Sequence, residues 1–251
     1  MTQPGATRIP QTAAVSAKQN LIGLSLPEFE AFVKNLGEPS FRARQIHSWI
    51  YVHTVRDFEA MTNLAKPLRH KLAEHCKVGT LTIAEKQVSQ DGTQKYLFQL
   101  EDGQKVESVL IPYGFHSPSS VTELEKKGLK HSCAQGAKKS SDASAGNFLV
   151  PFEERGTYAV CLSTQVGCAV NCDFCATGKL GFKRHLRADE IVEQLLYIKH
   201  DSGIDVRNIV LMGQGEPLLN YDEVLRSVRL INQSNRPEDF VVIQERLPLA
   251  H

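Results

Sequence analysis

The chain has 251 residues, enough for one large domain or two modest ones, and its 41% hydrophobic content is ordinary for a globular protein. Its 29 basic and 28 acidic side chains nearly cancel, so any surface for a polyanion must come from local clustering rather than from net charge. No apolar run approaches the roughly 18 residues that span a bilayer, and the start MTQPGATRIPQTAAVSAKQN lacks a continuous hydrophobic stretch, so no membrane partner and a cytoplasmic location are expected.

Residues 1–20 read as a flexible tail and 21–78 as a helical accessory domain. Ser25 with Glu28 three residues on forms a capping box, Phe29, Phe32, Val33 and Leu36 repeat at helical spacing, and Gly37 marks the end. A second helix is predicted from Ser40, with Ile46, Trp49 and Ile50 on one face, and a third on Leu64, Leu68 and Leu72. Lys34, Arg42, Arg44, Lys66, Arg69 and Lys71 form either a patch facing RNA or the solvated faces of these helices.

From 79 to 113 the period becomes that of strands. LTIAEKQV, KYLFQL and KVESVLI are separated by Asp91-Gly92 and Asp102-Gly103, which predicts an antiparallel meander with tight turns that hold both central residues at positive φ. Residues 114–153 are rich in Ser, Lys, Ala and Gly and read as a flexible insertion, in which Cys133 is a lone thiol. After it come a strand at TYAVCL, a helix from Ala188 to His200, a buried strand at NIVLMG and a helix from Tyr221 to Ile231. This alternation predicts a parallel α/β unit over 154–251.

The six cysteines would suit three disulfides in a secreted domain, but Cys161, Cys168, Cys172 and Cys175 crowd together while Cys76 and Cys133 stand apart. Such crowding favours metal or redox chemistry. In GCAVNCDFCATG, Cys168, Cys172 and Cys175 have the C-x3-C-x2-C spacing that holds three corners of a 4Fe-4S cluster and leaves the fourth iron open. S-adenosylmethionine (SAM) can chelate that iron through its amino and carboxylate groups, which sets its sulfonium beside the cluster for one-electron cleavage. The alternative is structural zinc, with Cys161 or His185 as fourth ligand. Gly213-Gln214-Gly215-Glu216-Pro217, after the second strand, separates the two readings. A zinc knuckle has no use for it, whereas the cysteine spacing resembles the radical SAM superfamily, and that resemblance implies that Gly215 and Glu216 approach the SAM amino group, which a carboxylate accepts as a charged donor.

CLSTQVGCAVNCDFCATGKLGFKRHLRADEIVEQ, followed by NIVLMGQGEPLLNYDEV and joined by SFRARQIHSWIY and KVESVLIP, resembles the RlmN/Cfr family of radical SAM RNA methyltransferases. The resemblance covers most of the chain outside the insertion and both ends. It implies an α/β fold, a partial radical SAM barrel preceded by the helical domain and the meander, with a 4Fe-4S cluster and SAM as cofactors. The implied activity is methylation of adenosine at C2 in 23S rRNA and tRNA, by a monomer supplied by an external electron donor. Methylation at C8, as in the Cfr branch, is the alternative, and the residues themselves do not choose between them.

The target is an electron-poor amidine carbon, which cannot attack a SAM methyl as a nucleophile, so radical chemistry is needed. In the family a cysteine near the C-terminus takes a methyl, and hydrogen abstraction turns it into a radical that adds to the base. A second cysteine then attacks the first and releases the product. The resemblance makes Cys161 that second cysteine, Glu107 the proton acceptor and Phe174 the aromatic near the SAM adenine. Read alone, Cys161 is a buried strand cysteine and Glu107 an exposed strand carboxylate. Lys179, Lys183, Arg184 and Arg187 either meet phosphate or approach the next helix through solvent.

Two departures from the family pattern are visible: the insertion between ESVLIP and CLSTQVGC, and the run QSNRPEDFVVIQERLPLAH where the family continues through a six-stranded barrel. The expectation is a truncated chain that does not turn over by itself, because neither Cys76 nor Cys133 has the context of the methyl-carrying cysteine. An unpaired strand edge beside NIVLMG is expected with it. A non-catalytic RNA-binding fragment is the competing reading.

Overall fold

The computed structural model describes residues 18–113, 157–204, 206, 208–234 and 240–242. The insertion 114–153 with Cys133, and the tail through residue 17, lie outside the described residues. The last residues of that tail are structured: β1 (Gln19–Asn20) pairs parallel with β2 (Cys76–Lys77).

Between these strands lies the helical unit. In α1 (Leu26–Asn35) the Glu28 carboxylate accepts the backbone N–H of Ser25 at 2.7 Å, the capping contact foreseen from the spacing. The second helix, α2 (Phe41–His47), runs on into a π-helical turn (Ser48–Val52), and α3 (Lys66–His75) follows. Phe29, Val33, Ile46, Ile50, Leu68 and Leu72 are buried between them, so helical periodicity had selected the inward faces correctly.

Two of the candidate RNA-facing cations are used internally. Arg69 donates to the Glu59 carbonyl at 2.6 Å and pairs with its carboxylate at 3.3 Å, while the Lys71 ammonium donates to the Leu36 carbonyl at the end of α1. Both fasten loops, as cations do at exposed helix ends and carbonyls.

The strands β3 (Thr82–Val88), β4 (Gln94–Gln99) and β5 (Lys105–Tyr113) form the predicted meander. Its turns differ from expectation, because only Gly92 and Gly103 have positive φ. The N–H of Gly92 donates to Ser89 O at 3.0 Å and that of Ser89 to Thr93 O at 2.8 Å, with Leu100, Gly103 and Gln104 repeating the pattern. These are three-residue loops with a bulged glycine. The aspartates favour them by accepting the N–H two residues on, Asp91 from Thr93 and Asp102 from Gln104, each at 3.0 Å.

The meander does not stand apart from the α/β unit. β5 pairs antiparallel with β6 (Thr157–Cys161), which pairs parallel with β9 (Asn208–Val210), which pairs parallel with β10 (Phe240–Val242). The result is one six-stranded sheet in the order β10-β9-β6-β5-β4-β3. β10 therefore occupies the edge beside NIVLMG that was expected to be open. The NIVLMG strand is also shorter than read, because after Val210 the chain turns and the Gly213 N–H bonds back to Leu162 O at 3.0 Å.

Between β6 and β9 the chain forms β7 (Gln165–Val166), α4 (Ala176–Lys179), β8 (Arg184–His185) and α5 (Ala188–Ser202); α6 (Tyr221–Ser234) joins β9 to β10. Helix α5 covers one face of the sheet, where Phe98 meets Tyr197 edge-on at 5.3 Å between ring centres. Burying its Ile191, Leu195 and Ile198 contributes about 1.5–3 kcal/mol each.

Three polar side chains of α5 are also buried, and each fastens a different segment. Glu190 accepts both guanidinium arms of Arg184 at 2.8 and 2.9 Å. Glu193 accepts Arg56 and the N–H groups of Thr80 and Leu81. Gln194 accepts from the Ser108 hydroxyl at 2.6 Å and from the Ser163 N–H at 3.0 Å. Among the described residues no helix is long and apolar enough to cross a membrane.

Candidate functional site

β6 ends at Cys161, and Leu162, Ser163, Thr164 and Gln165 follow in fully buried positions. Cys168 is thus not on the strand of Cys161, because β7 intervenes and pairs antiparallel with β8. That pairing pinches the base of a loop that leaves at Gly167 and returns at Gly181. The two ends approach so closely that a Cβ on residue 167 would lie 1.7 Å from the Gly181 carbonyl oxygen.

Within the loop Asn171 takes the left-handed conformation, φ +54°, which Asn tolerates better than most side chains. The Cys175 N–H donates to Cys172 O and the Gly178 N–H to Cys175 O, at 3.0 and 3.1 Å. The curl turns Cys168, Cys172 and Cys175 toward one cleft of about 410 Å³, its open mouth included.

The opposite wall of the cleft is the turn after β9. Gly213, Gly215 and Glu216 line it, together with Phe174 from the cysteine loop. Gly215 has φ +104°, and a Cβ there would meet the Gln165 Cβ at 2.6 Å, so only glycine lets this turn lie against the segment after β6. The turn is bonded to that segment: Gln214 O accepts the N–H groups of Thr164 and Gln165 at 2.8 and 3.1 Å, and the Ser163 hydroxyl accepts the Gln214 N–H at 2.8 Å. The cleft therefore sits where the parallel strands β6 and β9 end, the common ligand position in parallel α/β folds.

Cys161 and Glu107 are not among the cleft residues; the register places them on the neighbouring sheet face. Cys161 is the partner of Val109, and Glu107 lies two residues along the same strand, so both occupy the face opposite α5. Diagonal neighbours of this kind have Cα atoms roughly 7–8 Å apart. The Glu107 carboxylate is part-exposed and pairs with Lys95 at 2.7 Å, rather than being buried between apolar neighbours. Arg184 and Arg187, the two candidate phosphate contacts nearest α5, are held by Glu190 and Asp102 and by Asp189.

Residues 19–78 match the family described as the ribosomal RNA large subunit methyltransferase N-terminal domain, and 162–246 match the radical SAM superfamily. A protein of Syntrophomonas wolfei named "Probable dual-specificity RNA methyltransferase RlmN" is 37% identical over 93% of this chain and 56% of its own length. The RlmN of Thermotoga neapolitana, named in the same words, is 39% identical over 85% and 51%. Over most of its length the chain is similar to the RlmN family. It spans about half the length of the curated relatives it matches. The crystal structure of a radical SAM methyltransferase from Sphaerobacter thermophilus superposes with a TM-score of 0.66 at 33% identity, over 90% of this chain and 56% of that one.

A 4Fe-4S cluster, which the match to the radical SAM superfamily implies, needs three thiolates around one cleft. The donor set fits: three cysteines line the cleft, none of them in a disulfide, and no histidine lines it. Among the described residues no group of three or more His, Cys, Asp or Glu side chains converges to hold a single ion. A cluster takes each thiolate on a different iron, which three cysteines around one cleft can supply. His185, considered as a zinc ligand, instead meets the Gln165 amide at 3.1 Å.

The reading of the sequence passed over Ser163 and Gln165. Both lie in CLSTQVGC, but a serine and a glutamine carry no spacing signal of their own. Their roles depend on a turn some fifty residues later. The Ser163 hydroxyl donates to Glu107 O at 2.5 Å while accepting from Gln214, so one side chain joins β5 to the glycine turn.

Proposed function

We propose that the chain binds a 4Fe-4S cluster through Cys168, Cys172 and Cys175, and SAM beside it, as the cofactor-binding part of an RNA methyltransferase. Its target is C2 of adenosine in 23S rRNA and tRNA. Held by Cys168, Cys172 and Cys175, the cluster would supply one-electron reductive cleavage of SAM, the electron coming from an external cytoplasmic donor. The observation that carries this reading is the cleft itself, in which the three cysteines face Gly215 and Glu216 in a chain similar to the RlmN family.

The protein's own groups have distinct tasks. Glu216 accepts the SAM ammonium in a charge-assisted hydrogen bond, and its neighbour Gly215 lets the backbone approach. Phe174, exposed on the loop, offers a ring face to the adenine. On the adjoining sheet face Cys161 is the thiol that would resolve the cysteine–base adduct of the family mechanism, an S–S bond forming as the adduct's C–S bond breaks, and Glu107 the carboxylate that would take the proton from the adenine carbon.

Anaerobic reconstitution with ferrous iron and sulfide tests the assignment. About four irons and four sulfides per chain are expected, lost on replacing the three cysteines by alanine, with an electron paramagnetic resonance spectrum that changes when SAM is added. Stoichiometric zinc without sulfide would overturn it. Mass spectrometry of RNA treated with the reduced protein and SAM reads turnover and regiochemistry together: no product is expected of this chain by itself, 2-methyladenosine overturns that expectation while supporting the C2 target, and 8-methyladenosine assigns the chain to the Cfr branch.

A further inference from the structure

We infer that Gln165 is a positioning residue for Glu216, fixing the main chain of a cleft-lining residue whose carboxylate accepts the Leu218 N–H at 3.2 Å before SAM arrives, and so setting the affinity for SAM. The inference rests on the reading of the cleft as the SAM site. Gln165 is fully buried, and its side chain is held at both ends. Its Oε1 accepts the Glu216 N–H at 3.0 Å, and its Nε2 lies 3.1 Å from Nδ1 of His185.

The direction of the amide follows from chemistry. A backbone N–H can only donate, so the oxygen must face Glu216, and the amino group is left for His185, which then accepts on Nδ1 and carries its proton on Nε2. The stem of Gln165 is equally constrained, because its Cβ and Cγ fill the space that a Cβ on Gly215 would need. The same residue thus binds the N–H of Glu216, packs against Gly215, and donates its own N–H to Gln214 O.

The second end of this connection makes it more than local packing. His185 lies on β8, just after the cysteine loop returns, and its ring centre is 5.0 Å from that of Phe182, the residue that follows the loop's return at Gly181. Gln165 therefore ties the Glu216 wall of the cleft to the base of the loop that carries the three cysteines. With that connection intact, the carboxylate and the cluster ligands keep one relative placement before SAM arrives. Pre-organisation of this kind raises affinity without a direct contact to the ligand.

The test uses the full chain, reconstituted anaerobically, with SAM titrated against the resonance spectrum of the reduced cluster. Gln165→Met keeps the stem and removes the acceptor. The expected result is about tenfold weaker SAM binding, the size of one neutral hydrogen bond, with iron and sulfide content and the SAM-free spectrum unchanged. A purely structural role would lower cluster content and SAM binding together. SAM affinity equal to that of the unaltered chain, with the cluster intact, would overturn the inference. If the methionine variant does not take up its cluster, His185→Ala decides, because His185 is exposed on the surface and its loss frees only the far end of the amide. Weaker SAM binding, by about threefold, then supports the inference, and no change overturns it. A chain with unaltered sequence whose cluster spectrum does not respond to SAM contradicts the reading of the cleft itself, a result distinct from either variant's.

Discussion

Glu193 and Arg56 form an ion pair at 2.8 Å in which the carboxylate is completely buried and the guanidinium largely so. The same carboxylate accepts the N–H groups of Thr80 and Leu81, so helix α5 grips the segment leading from the helical unit into the sheet. Arg56 also lies over the Tyr197 ring at 4.6 Å. One charged side chain thus joins helix α5 to Arg56 and to the segment at 80–81, beside the contacts of Arg226 with Glu28 and of Asn20 with Asp189.

Removing that side chain takes the acceptor from the N–H groups of Thr80 and Leu81 and leaves the Arg56 guanidinium with only the Leu81 carbonyl, at 3.1 Å. Glu193→Ala is expected to destabilise the fold by about 3–5 kcal/mol, read as a lower urea midpoint. A midpoint within about 0.5 kcal/mol of the unaltered chain would show that the segment at 80–81 is held by other contacts.

Asp102, in the turn between β4 and β5, accepts from Arg184 at 2.7 Å, and that hydrogen bond holds its carboxyl below the ordinary range. A depressed value in the folded state means that this contact stabilises the fold above the unfolded value of about 3.9 and is lost as the pH falls through the folded one. Resonances of Asp102 followed by NMR should titrate below about 3.9, and Arg184→Met should return the midpoint toward it. An unchanged midpoint in the variant would assign the depression to the Gln104 N–H instead.

Phe174 is 77% exposed, so Phe174→Ala should leave stability within about 0.5 kcal/mol. If its ring covers the adenine of SAM, the variant loses about 1–3 kcal/mol of stacking, a five- to 150-fold weaker binding by spectral titration. Unchanged affinity would remove Phe174 from the site.

Cys76 is buried, and burial pushes its thiol up to about 11. In iodoacetamide at pH 8 the native chain should leave Cys76 unmodified, and mass spectrometry should find it alkylated only after unfolding in urea. Rapid native modification would mean that the parallel contact of β1 with β2 opens readily.

The helical unit was legible because each of its faces is written at helical period: Phe29 and Val33, Ile46 and Ile50, Leu68 and Leu72 are all buried where the spacing put them. The hairpin glycines were legible as turns, but the turn type was not. The expectation of two positive-φ residues omitted the aspartate side chains, whose bonds to Thr93 and Gln104 compete for the same backbone. The shared sheet was invisible for a different reason. Pairing of β5 with β6 depends on residues separated by the whole insertion, and nothing in either strand names its partner.

By itself the sequence carried the pattern on which the proposed chemistry rests. Three cysteines at C-x3-C-x2-C spacing and a glycine-glutamate turn one α/β unit later are local features, and local features survive in a linear reading. Only the tertiary structure decided how those pieces meet. It put Phe174, Gly215 and Glu216 around one cleft with the cysteines, moved Cys161 and Glu107 to the adjoining sheet face, and gave the buried Ser163 and Gln165 the task of joining the walls. The physical reason is that a hydrogen bond across fifty residues is specified by the packing of the segments that bring its ends together, and not by either residue alone.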